Sequence, residues 1–416
     1  MVEAMEIPKG FKKTEVGIIP SDWDIAQLGN LFEITSSKRV FQNEWKSSGV
    51  PFYRARELAV LSEKGAVDNE LFITKEQYNA FKRKHGVPIV GDMLVTGVGT
   101  LGKVYVVPDE KEFYFKDGNI IWFKIRDSIN SEFLRQLYFT QTIIKQIDDA
   151  AGKTTVGTYT ITGAKKTSIP YPPTKAEQTA IAEALNDADA LITELEKLIA
   201  KKKAIKQGAM QELLKPKEGW EVKPLNNEID LLTGFPFPSN QYSNDGVKLL
   251  RGSNVKRGIT DWTEENTKYW KNITSNLTEY ILNEGDIVIA MDGSLVGKSF
   301  ARLSKDDLPA LLLQRVARIR ADKIDMGYLK EVICSDYFTK YCDIVKTASA
   351  IPHISPKDIK NYQIPIPPTK SEQKHIAQIL SDMDAKIKAL EKKLDKYKML
   401  KQGMMQSLLT GRIRLI

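Results

Sequence analysis

Ile169–Gln178 reads IPYPPTKAEQ, and Ile364–Gln373 reads IPIPPTKSEQ. In both, a Pro-Pro pair is followed by Thr, then by Glu three residues later: Thr174 with Glu177, and Thr369 with Glu372. That spacing is a capping box, in which the two side chains satisfy the first free amides of a helix, so a helix starts at each Thr. The likeness runs on. Residues 169–214 align without a gap on residues 364–409 at a shift of 195, and 27 of the 46 positions are identical. The chain is an internal repeat, and the repeat governs how the rest of it is read.

Downstream of each cap, apolar residues recur at steps of four and three. They are Ile181, Leu185, Ala188, Ile192, Leu195 and Ile199 in the first copy, and Ile376, Leu380, Met383, Ile387, Leu390, Leu394 and Tyr397 in the second. Lys and Glu fill the outer positions, which is the pattern of a left-handed coiled coil of about three heptads. Packing of each helix on its own domain's core is the competing reading, and the equal matched lengths favour mutual pairing. Lys215-Pro216 and Thr410-Gly411 are the stop signals. Gly208 and Gly403 fall near the helix ends, where a close helix contact or a break accounts for them.

Upstream the echoes are weaker: Asp22-Trp23 resembles Gly219-Trp220, and Gly91-Asp92 resembles Gly285-Asp286. Each repeat is thus a divergent globular part followed by a well-matched tail. The expected segments are 1–168, 169–215, 216–363 and 364–416. Short β-like runs fill the globular parts (Val104–Val107, Ile120–Ile125, Tyr280–Leu282, Ile287–Ala290 and Val316–Ile319), and one helical stretch closes each, Glu132–Ile147 and Gly327–Val345. The fold class is α+β.

Composition narrows the chemistry. A hydrophobic share of 42% and an aromatic share of 9% support real cores, and 61 Lys+Arg against 53 Asp+Glu give +8, which attracts polyanions without demanding them. Cys334 and Cys342 are too few for a disulfide framework or a thiolate cluster, and a reducing compartment fits. His85, His353 and His375 are far apart, so no metal site is expected. With no run of eighteen apolar residues, a cytoplasmic chain without a membrane span is the default.

Two loops approach the phosphate-binding pattern and miss it. Gly97–Lys103 has the right glycine spacing but is followed by Val104, and Gly297-Lys298-Ser299 ends correctly while Asp292 replaces the first glycine. Tight turns between strands are the better reading, with Lys103 and Lys298 as candidates to touch a phosphate. An adenine methyltransferase motif, a nuclease motif and a nucleophile triad all lack support, so no catalytic residue and no cofactor are assigned.

Two divergent domains alternating with two matched helical tails, the IPxPPTKxEQ openings at 169–178 and 364–373, and the text KQGMMQSLLTGRIR at 401–414 resemble the specificity subunit of type I restriction-modification enzymes over nearly the whole chain. The resemblance implies two α/β target-recognition domains, each reading half of a split double-stranded DNA site, and two long helices paired as an antiparallel coiled coil with pseudo-twofold symmetry. It also implies two methyltransferase subunits docked on the helices and separate ATP-driven restriction subunits. Antiparallel helices of 41 residues, about 60 Å at 1.5 Å per residue, would hold one domain at each end. Unequal domains imply an asymmetric site. The rival reading is a coiled-coil assembly protein without DNA binding, and a second is a fused methyltransferase whose motif has drifted.

Candidate base readers are the Arg-bearing loops after an apolar run: Arg54 and Arg56, then Arg251, Ser253 and Asn254 with Lys256 and Arg257. Arg pairs bidentately with guanine and Asn with adenine in the major groove. Lys38, Arg39, Lys82, Arg83, Lys84, Lys103, Lys153, Lys268 and Lys298 are candidate phosphate contacts, and His353 a further polar candidate. For each of these a solvated surface charge is the bland alternative.

Overall fold

The computed structural model describes residues 7–125, 129–152, 157–347 and 351–416. The chain forms two compact units, residues 1–196 with 393–416, and residues 197–392. The division runs through both long helices, Lys175–Leu213 and Lys370–Leu408, each 39 residues. Unit 1 therefore holds the start of the first helix and the end of the second, and unit 2 holds the remaining halves.

Within each unit the two helix segments run antiparallel. In unit 1 Lys401 pairs with Asp189 at 2.5 Å and Lys398 with Glu196 at 2.7 Å, so the numbering falls on one helix as it rises on the other. In unit 2 Lys203 pairs with Glu391 at 2.7 Å and Lys206 with Asp384 at 2.6 Å. Between these ion pairs Leu195, Ile199 and Ile387 are buried, and Ile192, Leu390 and Leu394 are half-buried.

The start of each helix does something else. Ile181 and Leu185 lie in one core with Trp23, Phe123, Phe133 and Leu137, and the second helix contributes Leu408 and Leu409 to it. Ile376 and Leu380 belong likewise to a core with Leu225, Ile289, Tyr328 and Phe338, joined by Leu214. These four seam positions thus face their own globular part, and the two readings of the apolar stripe hold for different stretches of the same helix.

The motif at each helix start is explained by its bonds. Thr174 and Thr369 cap as expected, accepting from the Glu177 and Glu372 amides at 3.3 and 3.2 Å. The glutamates do not complete the box: Glu177 is buried and bound by Arg414, and Glu372 accepts from the Trp220 indole at 3.2 Å. The following glutamine is the structural key. Gln178 donates to the Pro172 carbonyl and accepts from the Asn130 amide, and Gln373 does the same with Pro367 and Asp325. Each buried amide thereby ties the Pro-Pro turn to the first turn of the next helix, satisfying groups that are costly to bury unpaired.

Gly208 and Gly403 sit inside unbroken helices, and a Cβ at either would meet open space. Neither expected reason, a break or a close contact, applies within the described residues.

The globular parts share one topology. Unit 1 has an antiparallel sheet in the order Glu33–Thr35, Ile120–Lys124, Met93–Thr96, Val104–Val106, and unit 2 has Asp230–Thr233, Val316–Arg320, Ile287–Ala290, Phe300–Arg302 in the same order. A smaller sheet joins Val50–Tyr53 to Tyr114–Phe115 in parallel, as Val247–Leu250 joins Ala310–Leu312. The strand entering each part pairs with the strand leaving it, Asp24–Gln27 with Ser168–Tyr171 and Glu221–Pro224 with Gln363–Ile366.

Two sequence expectations need correction. Tyr280–Leu282 is not a strand: Ser275–Tyr280 is a 3₁₀ helix, and Ile281 makes a single bridge to Leu311. The closing helical stretches are each two helices, Ser131–Leu137 with Gln141–Ala151 and Met326–Ile333 with Asp336–Val345. The breaks fall where short hydroxyl side chains bind backbone: Thr140 Oγ1 donates to the Leu137 carbonyl, and Ser335 caps the Phe338 amide.

Candidate nucleic-acid interface

In unit 1 strand Val50–Tyr53 runs into Arg54, which stands before helix Ala55–Lys64. Arg54 Nε and Nη2 donate to Glu57 Oε2 and Oε1 at 3.0 and 2.7 Å, and the Arg54 amide adds a third bond. Glu57 is 3% exposed. The Nε–Nη2 edge of the guanidinium is therefore engaged by a buried carboxylate at the helix start, while the side chain stays one-third exposed. Arg56 is different: 72% exposed, with Nε 3.4 Å from Glu57, it remains open to a partner.

Unit 2 repeats the lesson. Asn254 is fully buried. Its amide nitrogen donates to the carbonyls of Asp261 and Asn266, both at 2.9 Å, and its oxygen accepts from the Arg251 amide at 3.0 Å. In this arrangement its amide is engaged within the loop and is not presented at the surface. Arg251 Nη2 donates to the Asn266 carbonyl at 2.6 Å, fixing the same loop. Ser253 is exposed, and Lys256 lies 3.8 Å from Asp261. Arg257 pairs with Asp336 at 3.1 Å over the Phe300 ring.

The remaining cations are dispersed. Lys82, Arg83 and Lys84 occupy the exposed last turn of helix Lys75–His85. Lys38 is exposed, and Arg39, 66% exposed, pairs with Asp117 at 3.0 Å. Lys103 is held by Glu63 at 2.6 Å, Lys268 is half-buried and Lys298 is exposed. Exposed His353 bonds Thr347 through Nδ1 at 3.0 Å. Lys153 lies outside the described residues.

Both glycine-lysine loops are hairpin connections that lead into strands, Val104–Val106 and Phe300–Arg302. Gly97 sits so close to the Tyr159 carbonyl that a Cβ would lie 2.5 Å from it, so that glycine serves packing. Among the described residues no group of three or more His, Cys, Asp or Glu side chains is placed to hold a metal ion, and no helix is long and apolar enough to cross a membrane.

What the geometry offers is one scaffold used twice under different exposed polar loops. The family described as type I restriction modification DNA specificity domain matches residues 20–207 and again residues 217–398. The chain belongs to that family and carries its domain twice. It is 27% identical over 440 residues to the type I restriction enzyme MjaVIII specificity subunit of Methanocaldococcus jannaschii, with 100% of this chain and 99% of that one covered. It is 35% identical over 179 residues to the EcoAI specificity subunit of Escherichia coli, covering 42% of this chain and 29% of that one. The fold resembles that of the type I restriction-modification S subunit from M. genitalium, with a TM-score of 0.62, 15% identity and coverage of 97% and 98%. This chain is a DNA specificity subunit of the type I restriction-modification class, and the scaffold reading without DNA binding is not favoured.

Proposed function

We propose that each unit reads one half of a split, asymmetric double-stranded DNA site, and that the long helices carry two methyltransferase subunits, with separate restriction subunits completing a cytoplasmic enzyme. On this reading the chain itself catalyses nothing and supplies the address. The observation that carries it is the identical strand order of the two sheets beneath unlike loops: Arg39 with Asp117 in one unit, Ser253 and Lys256 in the other. One backbone with two sets of side chains is what two unequal half-sites require.

The repeat also supports two equal docking places. Gly208 follows exposed Ile205 by one turn, and Gly403 follows exposed Met399 and Leu400 in the same way. Ile205 and Leu400 correspond under the shift of 195, as do the two glycines. A helix of another subunit can approach closely where no Cβ intervenes.

The test is selection of bound duplexes from a random pool by the full chain with its methyltransferase subunits. Two unlike sequence blocks at a fixed gap are expected. Binding without sequence preference, or methyl transfer by the pure chain, overturns the reading.

A further inference from the structure

Arg315 is, among the described residues, the one non-glycine residue with positive φ, at +70°. It occupies the third position of the turn Leu313-Gln314-Arg315-Val316, closed by a 3.2 Å bond from the Val316 amide to the Leu313 carbonyl. A positive φ at that place selects glycine, because a Cβ crowds the backbone.

Unit 1 shows the ordinary solution. There the connection between the matching strands is one residue longer, Lys116-Asp117-Gly118-Asn119, and its positive φ falls on a glycine, Gly118 at +73°. The loops match at both ends: the Lys116 amide donates to the Tyr53 carbonyl at 2.8 Å as the Leu313 amide does to that of Leu250 at 3.1 Å, and the Gly97 amide donates to the Asn119 carbonyl at 2.8 Å as the Met291 amide does to that of Arg315, so unit 2 makes the connection with one residue fewer and without a glycine. Unit 2 therefore keeps an arginine in a backbone conformation that an L side chain disfavours. The turn is pinned from both sides, since the Met291 amide donates to the Arg315 carbonyl at 2.9 Å and the Gln314 amide to the Phe235 carbonyl at 2.9 Å.

The side chain is aimed as well as placed. Arg315 Nη1 donates to Asp292 Oδ2 at 3.0 Å, and the arginine is 63% exposed. Nε and Nη2 have no bond within the described residues. Asp292 is itself fixed, bridged to His353, while the next residue's amide, that of Gly293, donates to the Pro352 carbonyl at 3.0 Å. Arg315 and Asp292 line a recess of about 360 Å³ that also takes in Ser253, Lys256, Ser294 and Gln314. Arg54, by contrast, spends both Nε and Nη2 on Glu57.

We infer that Arg315, braced by Asp292, is the arginine with which unit 2 reads a guanine in the major groove, a specificity-determining role that rests on the proposed reading of the unit as a DNA reader. A guanidinium held at one nitrogen by a fixed carboxylate presents its other edge as two parallel donors, which is the geometry that guanine O6 and N7 accept. The strained turn persists because it delivers that edge.

The experiment repeats the duplex selection with the full chain and its methyltransferase subunits, comparing wild type with Arg315→Gly and Arg315→Lys. The glycine variant suits φ +70°, so its thermal midpoint should equal or exceed that of wild type. Both variants should lose discrimination at one guanine of one half-site, roughly 10- to 100-fold, with the other half-site unchanged. An unaltered consensus in the glycine variant overturns the inference. So does equal weakening on all sequences that the lysine variant restores, which marks a phosphate contact. A wild-type complex that selects no split site overturns the reading of the unit as a reader, and this inference falls with it.

Discussion

Lys206 meets Asp384 at 2.6 Å in unit 2, and Lys401 meets Asp189 at 2.5 Å in unit 1. Under the shift of 195 these are the same two positions with the helices exchanged. Each pair is joined by a residue of its own globular part: Lys330 approaches Asp384 at 3.3 Å, and Gln136, the neighbour of Arg135, donates to Asp189 at 3.2 Å.

Asp189→Ala should therefore cost about 1–3 kcal/mol, as expected when a charged hydrogen bond is lost at a half-buried site. A double-mutant cycle with Lys401→Ala, read by urea unfolding, should show a coupling of at least about 0.5 kcal/mol. Strict additivity would mean that the pair is a surface accident.

The two helix glycines separate the needs of the chain from those of its complex. Gly208→Ala and Gly403→Ala should each stabilise the isolated chain by about 0.5–1 kcal/mol, since the new methyl meets open space. The same substitutions should weaken assembly with the methyltransferase. Calorimetry of the chain alone and titration of the complex give the two readings, and unchanged assembly would move the docking place elsewhere.

Acid should loosen unit 1 through Glu57. Burial alone would raise its carboxyl, but the bonds from Arg54 and from the backbone amides hold it below the usual range. A depressed folded value means that the stabilisation is complete above the unfolded value of about 4.3 and is lost as pH falls through the folded one. Glu57→Gln should flatten the acid arm of a plot of stability against pH. An unchanged slope below about pH 4 would assign that arm to other carboxylates.

Seven residues inserted after both Leu195 and Leu390 keep the apolar repeat in phase. Each helix gains about 10 Å, and duplex DNA advances about 3.4 Å per base pair, so the selected gap should grow by about three pairs. The half-site bases should stay the same. The original gap at full affinity would show that the helices do not set the spacing.

The repeat was legible because proline, threonine and glutamine each do a backbone job that few other residues can do, so the text around 169 and 364 is nearly fixed. The base readers were not. Arg54 and Asn254 have the right chemistry in the right loops, and only the structure shows that Glu57 engages one edge of the first and that Asp261 and Asn266 hold the second. Glu57 three residues after Arg54 was a usable hint of a helix start. Arg315 carries no local signal, because a positive φ cannot be seen in a residue name.

Unit 1 is assembled from both ends of the numbering, and this imposes an order on its birth at the ribosome. Residues 197–392 are continuous and can fold as soon as they emerge, whereas the core around Ile181 and Leu185 needs Leu408 and Leu409. At roughly 5–20 residues per second, the wait between these two stretches is on the order of 10 to 40 seconds. During it the first half of the nascent protein holds an uncovered greasy stripe, a natural landing place for chaperones. A stall or truncation late in translation would leave a finished second reader attached to an open first one.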